Sequence, residues 1–168
     1  MADFRVNPKF EERVSQDGFE EKIVQVNRVS KKTQGGNKIG FSVLTVVGDK
    51  RGRVGVGLGK APDVSAAIKK GVAIAKKHAI NVPIVNGTIP FQFRIKLGAA
   101  EVMLKPAPKG SGVIAGGAVR SVVTLAGIEN ISSKVLGTEN QASNVYATIE
   151  ALKKLSARYN RERKERVK

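Results

Sequence analysis

Arg53-Val-Gly-Val-Gly-Leu-Gly-Lys60, running on into Ala61-Pro-Asp-Val-Ser-Ala-Ala-Ile-Lys-Lys-Gly-Val-Ala-Ile-Ala-Lys-Lys-His-Ala-Ile80, decides how the first half of the chain folds. The first eight residues alternate with period two. Val54, Val56 and Leu58 share one face of a strand; Gly55, Gly57 and Gly59 share the other. The aliphatic face packs on a core. The glycine face is bare backbone, open at close range to a helix of the same chain or to a foreign surface such as RNA. The period then becomes helical. Val64, Ala67, Ile68, Val72, Ala75 and Ala79 fall on one side of a helix expected over Ala61–Ile80, with Lys69, Lys70, Lys76 and Lys77 on the opposite side. Asp63 near the start and lysines near the end suit the helix dipole.

The same glycines invite a nucleotide-loop reading, which fails. A phosphate loop needs Gly, four residues, then Gly-Lys-Ser/Thr. Here Val54 holds the first glycine place and Ala61 follows Lys60. A dinucleotide fingerprint needs a strand–helix–strand setting, whereas hairpin signals surround this run.

Working outward, Ile23, Val24, Val26 and Val29 mark a strand upstream, and a turn at Gly35-Gly36-Asn37 leads to a second strand from Ile39 to Val47. Gly48-Asp-Lys-Arg-Gly52 joins that strand to the glycine-alternating one. The first half is therefore three antiparallel strands and a helix. Downstream, Asn81–Gly87 reads as a connector, and Thr88–Leu97 and Ala100–Pro106 as strands about Gly98. A helix is expected over Ala115–Ala126, a strand over Ile131–Leu136, and a helix over Gln141–Tyr159 with Val145, Ile149, Leu152 and Leu155 as its stripe. The expected organisation is a mobile leader (1–20), a βββα unit (21–84), a ββαβα unit (85–160) and a basic tail (161–168) frayed beyond Asn160: an α+β chain.

Charge points to a polyanion. Of 168 residues, 30 are Lys or Arg and 14 Asp or Glu, a net charge of +16. Phosphate neutralisation with counterion release is the usual use of such a surplus. Membrane is the weaker partner: no run of about 18 apolar residues occurs, and no helix joins a broad Leu/Phe/Trp face to a lysine face. Aromatics are 5% with no tryptophan, so backbone and shape recognition fits better than an aromatic stacking platform. Without cysteine, disulfides, thiolate nucleophiles and Cys-based zinc sites are excluded. His78 is the sole histidine; the sequence implies neither the orienting acid nor the pocket that general-base catalysis needs, and beside Lys76 and Lys77 it reads as solvated or phosphate-facing. The carboxylates show neither an acid/base pair nor metal-ligand spacing, so no catalytic residue, cofactor or metal is expected.

Two segments stand out as binding sites. In Asn27–Lys38, the cations Arg28, Lys31, Lys32 and Lys38 join Ser30, Asn37, Gly35 and Gly36 on a hairpin tip, a mixture suited to phosphate and ribose oxygens. Arg51, Arg53 and Lys60 extend the basic set. The second segment, Pro106 to Arg120, leads glycine-rich backbone into a helix start, which offers N–H groups to an anion. A plain flexible linker has the same pattern.

A set of motifs in order along residues 22–155 resembles bacterial small-subunit ribosomal protein S-five: Val26-Asn-Arg-Val-Ser-Lys31, Gly35-Gly36, Leu44-Thr-Val-Val-Gly-Asp49, Gly52-Arg-Val-Gly55, Gly59-Lys-Ala61, Gly87-Thr-Ile-Pro90, Pro106-Ala107, Gly110 to Arg120 and Ala126-Gly127. Phe91 stands where many members carry histidine, Gln141 and Ser143 replace a usual Pro and Asn, and Tyr146 replaces a common Arg. The resemblance implies a double-stranded-RNA-binding-like first domain and a two-layer sandwich second domain. It implies a non-enzymatic, cytoplasmic constituent of the small ribosomal subunit that is not a homo-oligomer. Its implied partners are small-subunit ribosomal RNA near the central pseudoknot, the fourth and eighth small-subunit proteins, and messenger RNA near its entrance, with an influence on decoding accuracy. The loop Arg28–Lys38 is implied to touch RNA. Gly112, Gly116, Gly117 and Arg120 are implied to face the fourth protein.

Overall fold

The computed structural model describes residues 13–14 and 18–166, with side chains described over 18–165. Most of the expected leader, and Val167 and Lys168 of the expected tail, lie outside the described residues.

The first sheet has five antiparallel strands in the order β1-β2-β3-β4-β5: β1 Arg13–Val14, β2 Glu20–Thr33, β3 Gly36–Gly48, β4 Arg53–Ala61 and β5 Ile80–Asn81. Helix α1 spans Val64–Lys77 on one face. It begins later than expected because Asp63 takes the N-cap, its carboxylate accepting from the N–H groups of Ser65 at 3.0 Å and Ala66 at 3.3 Å. Ala61 is instead the last residue of β4, paired with Phe41. At the other end the His78 ring nitrogen Nδ1 lies 2.9 Å from the Ile74 carbonyl, and the chain returns as β5.

The glycine face of β4 is filled by this helix. A Cβ on Gly55, Gly57 or Gly59 would run into the backbone carbonyls of Ala75, Gly71 and Ala67 respectively. Of the two surfaces the alternation admits, the chain's own helix is the one seated there. Val43, Val47, Ala67, Ile68, Val72 and Ala75 form the small core between them. The opposite face of the sheet carries Leu44, Val46, Val54 and Val56 into a larger core shared with the second half of the chain.

That second half is a four-stranded sheet, β6-β7-β9-β8, covered by two helices: β6 Phe93–Leu97, β7 Ala100–Pro106, β8 Val113–Ile114, α2 Gly117–Ala126, β9 Ile131–Val135 and α3 Gln141–Arg166. Val122, Val123 and Leu125 of α2, and Leu152 and Leu155 of α3, meet Leu44 and Val54 in the shared core. The first sheet is thus a middle layer between α1 and the second unit. Backbone contacts tie the units further. The N–H groups of Lys50 and Gly52 donate to the carbonyls of Leu125 (3.0 Å) and Ala126 (2.9 Å), satisfying acceptors that a helix end leaves free. Gly127 closes α2 at φ 87°, the left-handed cap conformation in which glycine is favoured.

Several expectations are corrected. The two-residue strands β1, β5 and β8 were not expected; strands that short carry no readable period, and only their partners define them. Strand β6 starts at Phe93, not Thr88, because Thr88 belongs to a tight Asn86-Gly87 turn closed by reciprocal Val85 and Thr88 hydrogen bonds of 2.9 and 3.0 Å. Helix α2 starts at Gly117 rather than Ala115. Gly36 opens β3 opposite Thr33, so the turn is Gln34-Gly35. Helix α3 runs past Asn160 to Arg166. Its extension is held by an Arg158–Glu162 ion pair of 2.9 Å and by Tyr159, whose ring meets that of Phe91 at 6.3 Å between centroids. Arg158 also lies over the Phe91 ring at 4.9 Å.

Candidate nucleic-acid interface

Strand β4 ends opposite Phe41, so beyond that point β2 and β3 continue as a two-stranded arm. Every residue from Asn27 to Ile39 is exposed. The register sorts its side chains. Lys31 pairs directly with Lys38 on one face; Arg28, Ser30, Lys32 and Asn37 lie on the other, each separated from Lys31 or Lys38 by an odd number of residues. Gly35 and Gly36 at the tip have open space where a side chain would be. Thr33 closes the tip through its hydroxyl, which donates to the Gly36 carbonyl at 2.8 Å.

The electrostatics of the arm are one-sided. No acid occurs between Glu21 and Asp49. Like charges directly opposite across a ladder are unfavourable, so Lys31 facing Lys38 costs stability until an anion lies between or beside them. A two-stranded ribbon in water is also marginal alone. Both costs fall when the arm lies against a polyanion.

The remaining basic residues divide. Lys60, paired with Ser42, sits at the base of the arm. Arg51 and Arg53 lie beyond the opposite end of β3, roughly 40 Å from the arm's tip for its 13 residues at about 3.3 Å each. Asp49, unsuspected from sequence, organises that end: its carboxylate accepts from the N–H groups of Arg51 at 2.8 Å and Arg53 at 2.9 Å. The Arg53 guanidinium lies 5.4 Å from the centre of the Phe19 ring, so this side chain already has an intramolecular partner. Arms and turn do not form one patch.

The glycine-rich segment is organised by a residue the sequence reading missed. Asn130, 4% exposed, accepts through Oδ1 from the N–H groups of Gly110 (2.9 Å) and Gly112 (3.2 Å). Those two N–H groups point inward, so they are not free for an anion as expected. Gly116 is the N-cap of α2 with no side-chain cap, and Gly117 has open space around it. Arg120 donates to the Val113 carbonyl at 3.0 Å, which holds its guanidinium beside β8. Exposed Gly116, Gly117 and Arg120 therefore form one corner about the start of α2, with half-buried Gly112 beside it. An asparagine in Ile128-Glu-Asn130 carries no sequence signal for this role; only its burial does.

Among the described residues no group of three or more His, Asp or Glu could hold a metal ion, and no helix is long and apolar enough to cross a membrane. Two sheets joined through helices α2 and α3, with a cation-rich, acid-free arm projecting from the first, give the chain a surface complementary in charge to a polyanion. Residues 19–83 match the family model described as ribosomal protein S5, N-terminal domain, and residues 95–165 that of ribosomal protein S5, C-terminal domain. Small ribosomal subunit protein uS5 of Thermotoga neapolitana is 50% identical over 142 residues, 84% of this chain and 80% of that protein. Its counterpart in Thermosynechococcus vestitus is 49% identical over 153 residues, 90% of this chain and 87% of that protein. The chain belongs to the ribosomal protein S5 family, whose members are structural proteins and not enzymes.

Proposed function

We propose that this chain is a structural constituent of the cytoplasmic small ribosomal subunit that binds small-subunit ribosomal RNA through its β2–β3 arm. The observation that carries the reading is the arm itself: Arg28, Lys31, Lys32 and Lys38 project from the body with no acid among them. Each cation that meets a phosphate releases counterions, so affinity falls with added salt. The body supplies rigidity. Residues 21–84 and 85–160 share one core, so an RNA element held by the arm is fixed relative to whatever the second unit touches.

In the finer reading the RNA includes the central pseudoknot and the region where messenger RNA enters. The corner of Gly112, Gly116, Gly117 and Arg120 faces the fourth small-subunit protein, and another surface faces the eighth. Accuracy of decoding then depends on how the contact with the fourth protein rearranges. Support for the corner is its exposure and the two glycines at the start of α2, where a partner's backbone can approach closely.

Sedimentation of cell extracts tests the coarse reading. The protein is expected in the small-subunit peak, released only at high salt; a pool free of particles in growing cells would overturn it. Arg120→Glu tests the finer one: it is expected to weaken association with the fourth protein while RNA binding is kept.

A further inference from the structure

Where the second unit stops covering the first sheet, a groove of about 540 Å³ opens between the sheet and the start of α3. Its floor and near wall are Gln25 and Asn27 of β2, Ser42 of β3, and Leu58 and Lys60 of β4; its far wall is the Glu139–Gln141 segment. The geometry points to this groove as the pocket for a single unpaired RNA nucleotide, its base turned in from a strand that follows the arm. This rests on the RNA-binding reading above and adds to it a site that takes a base rather than phosphate alone.

Three features argue for a base. The first is chemistry. The groove has one cation, Lys60, and one carboxylate, Glu139, which offset each other; the rest of its polar groups are amides and a hydroxyl. Phosphate sites are cation-rich, whereas base edges present mixed donors and acceptors that amides match on both counts. Among the described residues, none of Gln25, Asn27, Ser42 or Lys60 spends its side-chain polar group on a hydrogen bond or ion pair within the chain. Glu139 accepts from a ribose 2′-hydroxyl or a base N–H, and the 2′-hydroxyl separates RNA from DNA. The second is the apolar floor. Leu58 is 37% exposed beside these polar groups, a flat aliphatic surface for one face of a base. The volume falls within the range of about 300–1,000 Å³ usual for small-ligand sites.

The third is continuity. By register Gln25, Asn27, Val29 and Lys31 of β2 project from the same side of the sheet as Ser42 and Lys38 of β3 and Leu58 and Lys60 of β4. Lys31 and Lys38 thus mark a cationic track along the arm that ends in the groove, with Lys60 at the junction. A backbone lying on the track needs to turn only one nucleotide to fill the space.

The test places benzoylphenylalanine at Leu58 in one version of the full chain and at Gln34, on the arm's tip, in another. Small subunits carrying each version are irradiated and RNA crosslinks are mapped by primer extension. The expected result from position 58 is one dominant stop, at a nucleotide outside any base pair and distinct from the stops given by position 34. If position 34 joins RNA while position 58 joins a protein, a base-paired nucleotide or nothing, the groove inference is overturned and the arm reading stands. If neither position joins RNA, the arm reading falls as well. Should the Leu58 version not enter particles, Gln141 on the exposed far wall carries the group instead, and the same outcomes decide.

Discussion

Gly57 of β4 lies directly beneath Gly71 of α1, so close that a Cβ on Gly57 would collide with the Gly71 carbonyl oxygen. A Cβ on Gly71, turned toward the same sheet, would lie 2.7 Å from the hydroxyl oxygen of Thr45, the cross-strand partner of Gly57, and that hydroxyl donates to the Gly57 carbonyl at 3.1 Å. Helix and sheet therefore meet backbone to backbone at a pair of residues without side chains. Gly57→Ala is expected to lower stability by at least the roughly 1–3 kcal/mol of an overpacked core, since the neighbour is backbone and cannot rotate away. Gly117→Ala, at an open helical position, is expected to be neutral or slightly stabilising. Urea midpoints of the two variants check the contrast.

The arm predicts a salt effect rather than a stability effect. Lys31→Ala together with Lys32→Ala should weaken binding of small-subunit ribosomal RNA and flatten the log–log dependence on salt by roughly one unit per lost phosphate contact. Filter binding over a salt series measures the slope. An unchanged slope would remove both lysines from the interface.

Asn130 holds the Gly110–Gly112 loop from beneath. Asn130→Ala strands two N–H groups and is expected to cost about 1–3 kcal/mol. Hydrogen exchange at the Gly110 and Gly112 amides should speed up in that variant. Asn130→Asp, which keeps an acceptor oxygen, should restore most of the protection.

Phe91 pins the last turns of α3 through Tyr159 and Arg158. Phe91→Ala is expected to cost about 0.5–1.5 kcal/mol beyond the lost burial. Amide exchange from Asn160 onward should rise while the middle of α3, around Leu152, keeps its protection.

Among these elements, legibility tracked the length of the pattern. The Val54–Leu58 alternation and the Val145–Leu155 stripe repeat often enough to declare strand and helix unaided, and both are found where expected. Strands β1, β5 and β8 have two residues each and exist only because a neighbour offers its hydrogen bonds. The arm was legible as a candidate site because its residues are consecutive. The groove at Leu58 was not, because Asn27, Ser42, Lys60 and Glu139 come from four separate segments.

The amino-acid sequence by itself determined the class of fold, the surplus of cations and the hairpin that displays them, since each depends on neighbours along the chain. Only the tertiary structure decided which surface the bare glycine face of β4 receives, that Gly110 and Gly112 turn their N–H groups toward Asn130, and that Arg51 and Arg53 stand about 40 Å from the tip of the arm. The physical reason is the same in each case. Periodicity states that a face must be covered, but shape and unsatisfied backbone groups, brought together from distant segments, settle what covers it.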